Sequence, residues 1–239
     1  AADATVEKIA SGFHFTEGPV WDDANGCLYF SDIPADTIIR WRRDEGVSVF
    51  RRPSGKANGL TRDRNGRLLV CEHAGRRVSR IEQDGSTVVV ASHYKGRRLN
   101  SPNDIVVKSN GDIYFTDPPY GLNPVYGVAA EPELDFAGIY RVSADGRNIV
   151  AVAEDCTPNG LAFSPDEKRH YVAETERRLV LAYAVTALDF DPAANYLGLI
   201  PVPELPANLA WGGVDRSVLF ITARSSVYCV QTKTAGLPF

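Results

Sequence analysis

Glu17, Asn58, Asn103, Asn159 and Asn208 each head one copy of a repeated pattern, at separations of 41, 45, 56 and 49 positions. One carboxylate among neutral amide oxygens is a donor set for a hard cation such as calcium or magnesium, which binds through oxygen. In such a set Glu17 supplies the charge, and Asn103 and Asn159 supply neutral oxygens, directly or through water. Coordination positions stay open for water or substrate, and a substrate carbonyl bound there is polarised. A structural reading competes with this one. Asparagine before Gly or Asp caps turns, because its side chain bonds nearby backbone and tolerates unusual dihedrals. That reading suits Asn58 and Asn208 best and stays open for Asn103 and Asn159. It suits Glu17 least, since Glu17 breaks the asparagine pattern.

The elements that would position these residues are legible as a repeat. The copies are EGPVWDDANGCLYFSD (17–32), NGLTRDRNGRLLVCEH (58–73), NDIVVKSNGDIYFTD (103–117), NGLAFSPDEKRHYVAET (159–175) and NLAWGGVDRSVLFITA (208–223). Each is two apolar runs around a Gly/Asp/Asn turn. A third β-rich run follows each: TIIRWRR, RRVSRIE, GIYRV, LVLAYAV and SVYCVQT. A fourth follows most: VSVFRR, TVVVAS, NIVAVAE and YLGLIPV. Branched and aromatic runs between turn clusters read as strands. Four strands per unit of about 40–50 residues is the signature of a β-propeller. The expectation is one all-β propeller domain over residues 1–239, with five blades evident. The last unit lacks its fourth run, and the opening segment VEKIA is expected to supply it and close the ring.

An antiparallel meander sorts the loops by face. The head residues lie where each innermost strand begins, so they should converge at one mouth of the central channel. Connections between second and third strands share that face and carry Asp32, Asp36, Glu72, His73, Asp117 and Glu174. The longest, residues 118–137, should arch over the mouth and bring Tyr120, Tyr126 and Glu133 to it. A connection of that length in a compact domain tends to be functional. Asn58, His73, Tyr120 and Glu133 are therefore candidate substrate contacts. For His73 alone, a loop histidine satisfied by its neighbours is the simpler reading. The turns DDANG, DRNG, KSNG and SPDEKR fall on the far face, where their acids serve turn chemistry.

Composition excludes several classes. A net charge of −4 and a pI of about 5.6 carry no nucleic-acid footprint. The Arg-Arg pairs at 42–43, 51–52, 76–77, 97–98 and 177–178 read as solvated strand edges. No apolar stretch approaches the length that spans a bilayer. AADATVEKIA has no basic start and apolar run, and without an initiating methionine a leader already removed stays open. Cys27, Cys71, Cys156 and Cys229 have no CxxC spacing and read as buried thiols. The expected compartment is cytoplasmic, with periplasmic open. Oligomeric state is not legible.

On these residues the chain resembles the gluconolactonase/SMP-30 (regucalcin-like) family. The stretches that carry the likeness are EGPVW (17–21), SGKANGLTRDRNGRLLVCEH (54–73), LNSPNDIVVKSNGDIYFTDPPYGL (99–122), CTPNGLAFSPDE (156–167) and PVPELPANLAWGG (201–213). The resemblance implies a six-bladed propeller and one divalent metal ion in the channel, calcium first, with magnesium, manganese or zinc open. It implies hydrolysis of sugar-type lactones, in which the metal polarises the carbonyl and a carboxylate activates water. By motif Glu17 and Asn159 look like metal ligands, Asn103 like a further ligand or substrate contact, and Glu133 like a loop residue that touches substrate.

The chain also departs from the family. Family members carry a blade that opens with Pro-Asp-Gly, whose aspartate serves as metal ligand and base, and no Pro-Asp-Gly occurs here. Six blades need about 290 residues at the propeller period, about 50 more than are present. The expectation is a segment omitted from the sequence near residues 186–189, an idea that the absence of methionine supports, rather than a blade lost by the protein. Two other readings stay open: a non-catalytic propeller that binds metal or sugar, and a strictosidine-synthase-like propeller.

Overall fold

The computed structural model describes residues 5–154, 156–163, 167–174, 179–184, 203–204, 208–215, 217–223 and 225–231. Among these residues the regular structure is β, apart from one 3₁₀ turn at Pro119–Gly121. The chain opens with β1 (Val6–Ser11). The first blade is β2 (Thr16–Asp22), β3 (Cys27–Asp32), β4 (Thr37–Arg42) and β5 (Gly46–Arg51). The second is β6 (Ala57–Arg62), β7 (Leu68–Glu72), β8 (Arg77–Ile81) and β9 (Thr87–Ala91). A small hairpin, β10 (His93–Tyr94) and β11 (Arg97–Arg98), precedes the third blade. That blade is β12 (Ile105–Val107), β13 (Ile113–Asp117), β14 (Gly138–Val142) and β15 (Ile149–Ala153). The fourth sheet has three described strands, β16 (Leu161–Phe163), β17 (Arg169–Glu174) and β18 (Leu179–Ala184). The last blade is β19 (Asn208–Gly212), β20 (Val218–Ala223) and β21 (Ser226–Gln231).

The first and last strands close the ring as the sequence leads one to expect. β1 pairs antiparallel with β21, from Val6 opposite Val230 to Ser11 opposite Ser226, and becomes the fourth strand of the last blade. The innermost strands stand side by side: β19 beside β2, β2 beside β6, β6 beside β12, and β12 beside β16. Burial follows this order. Every residue of β2 and β3 is buried, whereas β5 is exposed along most of its length. Inner strands are covered on both faces by neighbouring blades, so they need apolar residues in consecutive positions. Outer strands meet water.

Apolar side chains between the blades hold the disc. Val20, Ile38, Leu60 and Val70 pack between the first and second blades. Between the last and first, Trp21 stacks on Phe220 with ring centroids 5.3 Å apart. Each such side chain contributes about 1.5–3 kcal/mol when fully buried. All four cysteines are buried. One arginine departs from the solvated-edge expectation: Arg76 is buried and its Nε donates to Leu99 O at 2.8 Å. No helix among the described residues is long and apolar enough to cross a membrane. The junction expected near residues 186–189, the run YLGLIPV and any sixth blade lie outside the described residues.

Candidate functional site

The head residues are drawn together by the backbone. Gly59 N donates to Asn103 O at 2.7 Å, Ser31 Oγ to Asn58 O at 2.8 Å, and Thr116 Oγ1 to Asn159 O at 2.7 Å. Each of these carbonyls is therefore spent on a neighbouring blade. The approach is close enough to require glycine. A Cβ on Gly18 would lie 2.1 Å from Asn58 O, and one on Gly59 would lie 2.5 Å from Asn103 O. The pairing slips between Glu17 and Val20 and again between Ala57 and Leu60. Such irregularities at a rim re-aim side chains.

Two carboxylates meet at this centre. Glu17 and Asp104 are 4% and 5% exposed, and Asn208 hydrogen-bonds both. Asp104 Oδ2 also accepts Leu161 N at 2.9 Å, so four blades contribute. Burial first, then the charge of Asp104, pushes the Glu17 carboxyl up to about 8, against the pull of its bonds from Gly18 and Asn208. Burial raises Asp104 to about 6 despite bonds from Leu161, Ile105 and Asn208. Buried like charges hold protons unless a cation relieves them. Among the described residues no three His, Cys, Asp or Glu side chains cluster as a metal site. The donors on offer are two carboxylates and amide oxygens, a set that fits a hard, oxygen-seeking cation.

The other expected site residues fall as follows. Asn103 is buried and its N–H donates to Thr116 O at 2.8 Å, while the Asn159 N–H donates to Ala173 O at 2.8 Å. Asn58 Nδ2 lies 3.0 Å from His73 Nε2, and His73 Nδ1 lies 3.0 Å from Tyr126 O. Burial pushes the His73 imidazole down to about 4, so it is neutral. Tyr120 Oη donates to Thr157 O at 3.4 Å, two residues before Asn159. Glu133 is tied to the hairpin: its Oε2 accepts Arg98 N at 2.8 Å, and Arg76 lies 3.7 Å from Oε1. The structure thus joins Glu17, Asn58, Asn103 and Asn159 in one ring, attaches His73 to it, and holds Glu133 through β11.

The loop acids expected on the mouth face staple connections. Asp32 accepts His14 N and Phe15 N at 3.0 and 3.1 Å. Asp36 accepts Ser54 N and Lys56 N. Glu72 binds Arg77 and Ser79, and Asp117 accepts Asn100 N at 2.7 Å. The Glu174 side chain lies outside the described residues. Sequence reasoning missed Asp104 as a partner of Glu17. A signal for it exists, because three heads are followed by glycine (Gly18, Gly59, Gly160) and Asn103 by an acid. It also missed Asn100, whose Oδ1 is buried without a partner among the described residues.

Comparison with known proteins places this geometry in a family. The model of the SMP-30/Gluconolactonase/LRE-like region matches residues 15–189. A gluconolactonase of Zymomonas mobilis is 38% identical over 186 residues, covering 72% of this chain and 52% of that protein. The chain spans about half the length of the curated relatives it matches. The solved structure of a gluconolactonase from Xanthomonas campestris superposes with a TM-score of 0.89 at 31% identity, over 96% of this chain and 90% of the other. A regucalcin from Agrobacterium tumefaciens, described as a calcium-binding protein, shares the fold with a TM-score of 0.75 at 15% identity, over 98% and 97% of the two chains. By the length of the family match and the identity to its relatives, the chain belongs to the SMP-30/gluconolactonase/LRE-like family.

Proposed function

We propose that this chain serves metal-dependent hydrolysis of a sugar-type lactone. The observation that carries the reading is the pairing of Glu17 and Asp104, buried together at the point where the inner strands converge. Gluconolactonase relatives supply the substrate class, and a fold relative described as calcium-binding supports a cation there. Glu17, Asn103 and Asn159 would hold the ion, with the Asp104 charge beside them; calcium suits these oxygens best, and magnesium, manganese or zinc are alternatives. When bound, the ion supplies Lewis-acid polarisation of the lactone carbonyl. Water adds to the carbonyl carbon, the ring C–O bond breaks, and the water's proton ends on the departing ring oxygen, giving a hydroxy acid. A carboxylate must carry that proton, and Glu17 and Asp104 are the buried acids that the described site offers. Asn58, His73, Tyr120 and Glu133 belong to the substrate side in this reading, as ring contacts or as supports of the loop at residues 118–137.

The experiment is turnover of a lactone panel, gluconolactone included, before and after EDTA, with calcium, magnesium, manganese and zinc added back singly. Loss to EDTA and recovery with one metal supports the reading. One observation favours a second reading: the chain carries no Pro-Asp-Gly. Tight metal binding without turnover of any lactone would establish a binding propeller instead.

A further inference from the structure

The loop from β13 to β14 reaches back over the second blade, and one of its carbonyls determines which end of Asn58 is left free. Tyr126 O carries only lone pairs, so His73 Nδ1, 3.0 Å away, must hold the proton. The ring is buried and neutral, so Nε2 presents a lone pair and accepts from Asn58 Nδ2 at 3.0 Å. The opposite orientation of the amide would need a proton on Nε2 and would set the Nδ1 lone pair against the Tyr126 carbonyl. Asn58 is 2% exposed, and its Oδ1 has no hydrogen-bond partner among the described residues. A buried acceptor left without a donor is costly, and a ligand donor would recover that cost.

The contacts that seat the loop are specific. Gly121 N donates to Ser101 Oγ at 2.8 Å. A Cβ on Gly121 would lie 2.5 Å from His73 Cγ, and one on Gly127 would lie 1.9 Å from Gly121 O. The Tyr126 ring meets Phe15, just before β2, edge-on with centroids 5.4 Å apart. A loop of the third blade thus reaches across the second to the first.

We propose that His73 is a positioning residue. With the Tyr126 carbonyl it locks Asn58 so that the amide oxygen, and not the nitrogen, faces the ligand, and the site there selects a hydroxyl donor. The choice of a polyhydroxy lactone as ligand rests on the function proposed above; the lock itself does not.

The test has two arms. In the unmutated protein, ¹⁵N NMR of the histidine side chains reads the tautomer of His73, assigned by its absence in His73→Gln. The lock requires a neutral ring protonated on Nδ1. In the second arm, kcat and KM are measured for gluconolactone and for its singly deoxygenated analogues. One analogue should be disfavoured about 10- to 100-fold in kcat/KM, as for a lost hydrogen bond to a buried acceptor. That ratio should collapse in His73→Phe, which cannot accept from Asn58. It should also collapse in Gly127→Ala, which displaces the Tyr126 carbonyl without touching Asn58. It should survive in His73→Gln, whose amide oxygen still accepts. An Nε2-protonated or charged His73, or a ratio unchanged in His73→Phe and Gly127→Ala, overturns the proposal. If no lactone turns over, the lactone reading fails, and the tautomer alone decides the lock.

Discussion

The two ends of the blades use the same few residue types to opposite effect. On the far face, Asp63 Oδ1 accepts Asn65 N and Arg67 N at 2.9 Å each, and Asn110 Oδ1 accepts Asp112 N at 3.0 Å. Asp22 does the same for Asn25. The Asp63 and Asn110 side chains are satisfied within a few residues of their own turns, and Asp22 adds an ion pair to Arg62 of the next blade at 2.6 Å. At the mouth the buried acids Glu17 and Asp104 take partners from other blades: both bind Asn208 of the last, and Asp104 also accepts Leu161 N of the fourth. Glu17 there meets Asp104 and Asn208, and Asn58 keeps an oxygen unspent among the described residues. A turn can close on itself, whereas a mouth built from five strand heads leaves polar capacity over, and that surplus is where a ligand can bind.

The contrast can be broken first at its strongest point. Glu17→Gln keeps the shape of the mouth and removes the charge. Lactone turnover should fall about 100- to 1,000-fold, the loss typical of removing one group that stabilises developing charge. Steady-state kinetics at saturating metal would show it. Next come the glycines. In Gly59→Ala the new Cβ meets Asn103 O at 2.5 Å, with backbone on both sides unable to give way, and the cost should be about 3 kcal/mol. In Gly26→Ala nothing lies within 4 Å, so only the strain of φ 58° remains, about 1 kcal/mol. Denaturant unfolding of the two variants side by side measures the difference between the faces.

A third prediction concerns pH in the metal-free protein. Glu17 rises from 4.5 to about 8 and Asp104 from 3.8 to about 6 on folding. Groups raised in this way favour the folded state at low pH, and that contribution is lost as pH climbs through their folded values. Buried His73, lowered from 6.5 to about 4, acts in the opposite direction: its contribution is present above 6.5 and lost as pH falls towards 4. The Tm of the metal-free protein should therefore decline from about pH 6 to pH 8. Glu17→Gln should remove most of that decline. Calorimetry of both proteins from pH 6 to pH 8 measures the difference. The smallest effect belongs to the far face: Asp63→Ala should cost about 1 kcal/mol or less and leave kcat/KM unchanged.

The strands were legible because each unit repeats runs of branched and aromatic residues between turn clusters, and closure was legible because the last unit lacked a strand that VEKIA could provide. The hairpin at His93–Arg98 was not. Its strands are two residues each, and the signal is only a Lys95–Gly96 turn with φ of 50° and 81°. That hairpin, through Arg98 N, is what holds Glu133. The convergence of the head residues followed from topology, but topology could not say which acids are consumed by nearby N–H groups. Asp32 and Asp117 share the mouth face with Glu17 and serve as staples. Asp104 escaped notice because an acid after asparagine reads as turn chemistry, and only the convergence of the inner strands, β2 and β12 each packed against β6, brings it to Glu17.

The most direct test of the central claim, that Glu17 is the charged anchor of a cation site where the inner strands meet, is calorimetric titration of metal-stripped protein with calcium, in parallel for the natural chain and Glu17→Gln. The account predicts one site in the natural chain and its loss or a weakening of at least about 100-fold in the variant. Equal calcium binding by both proteins would contradict it.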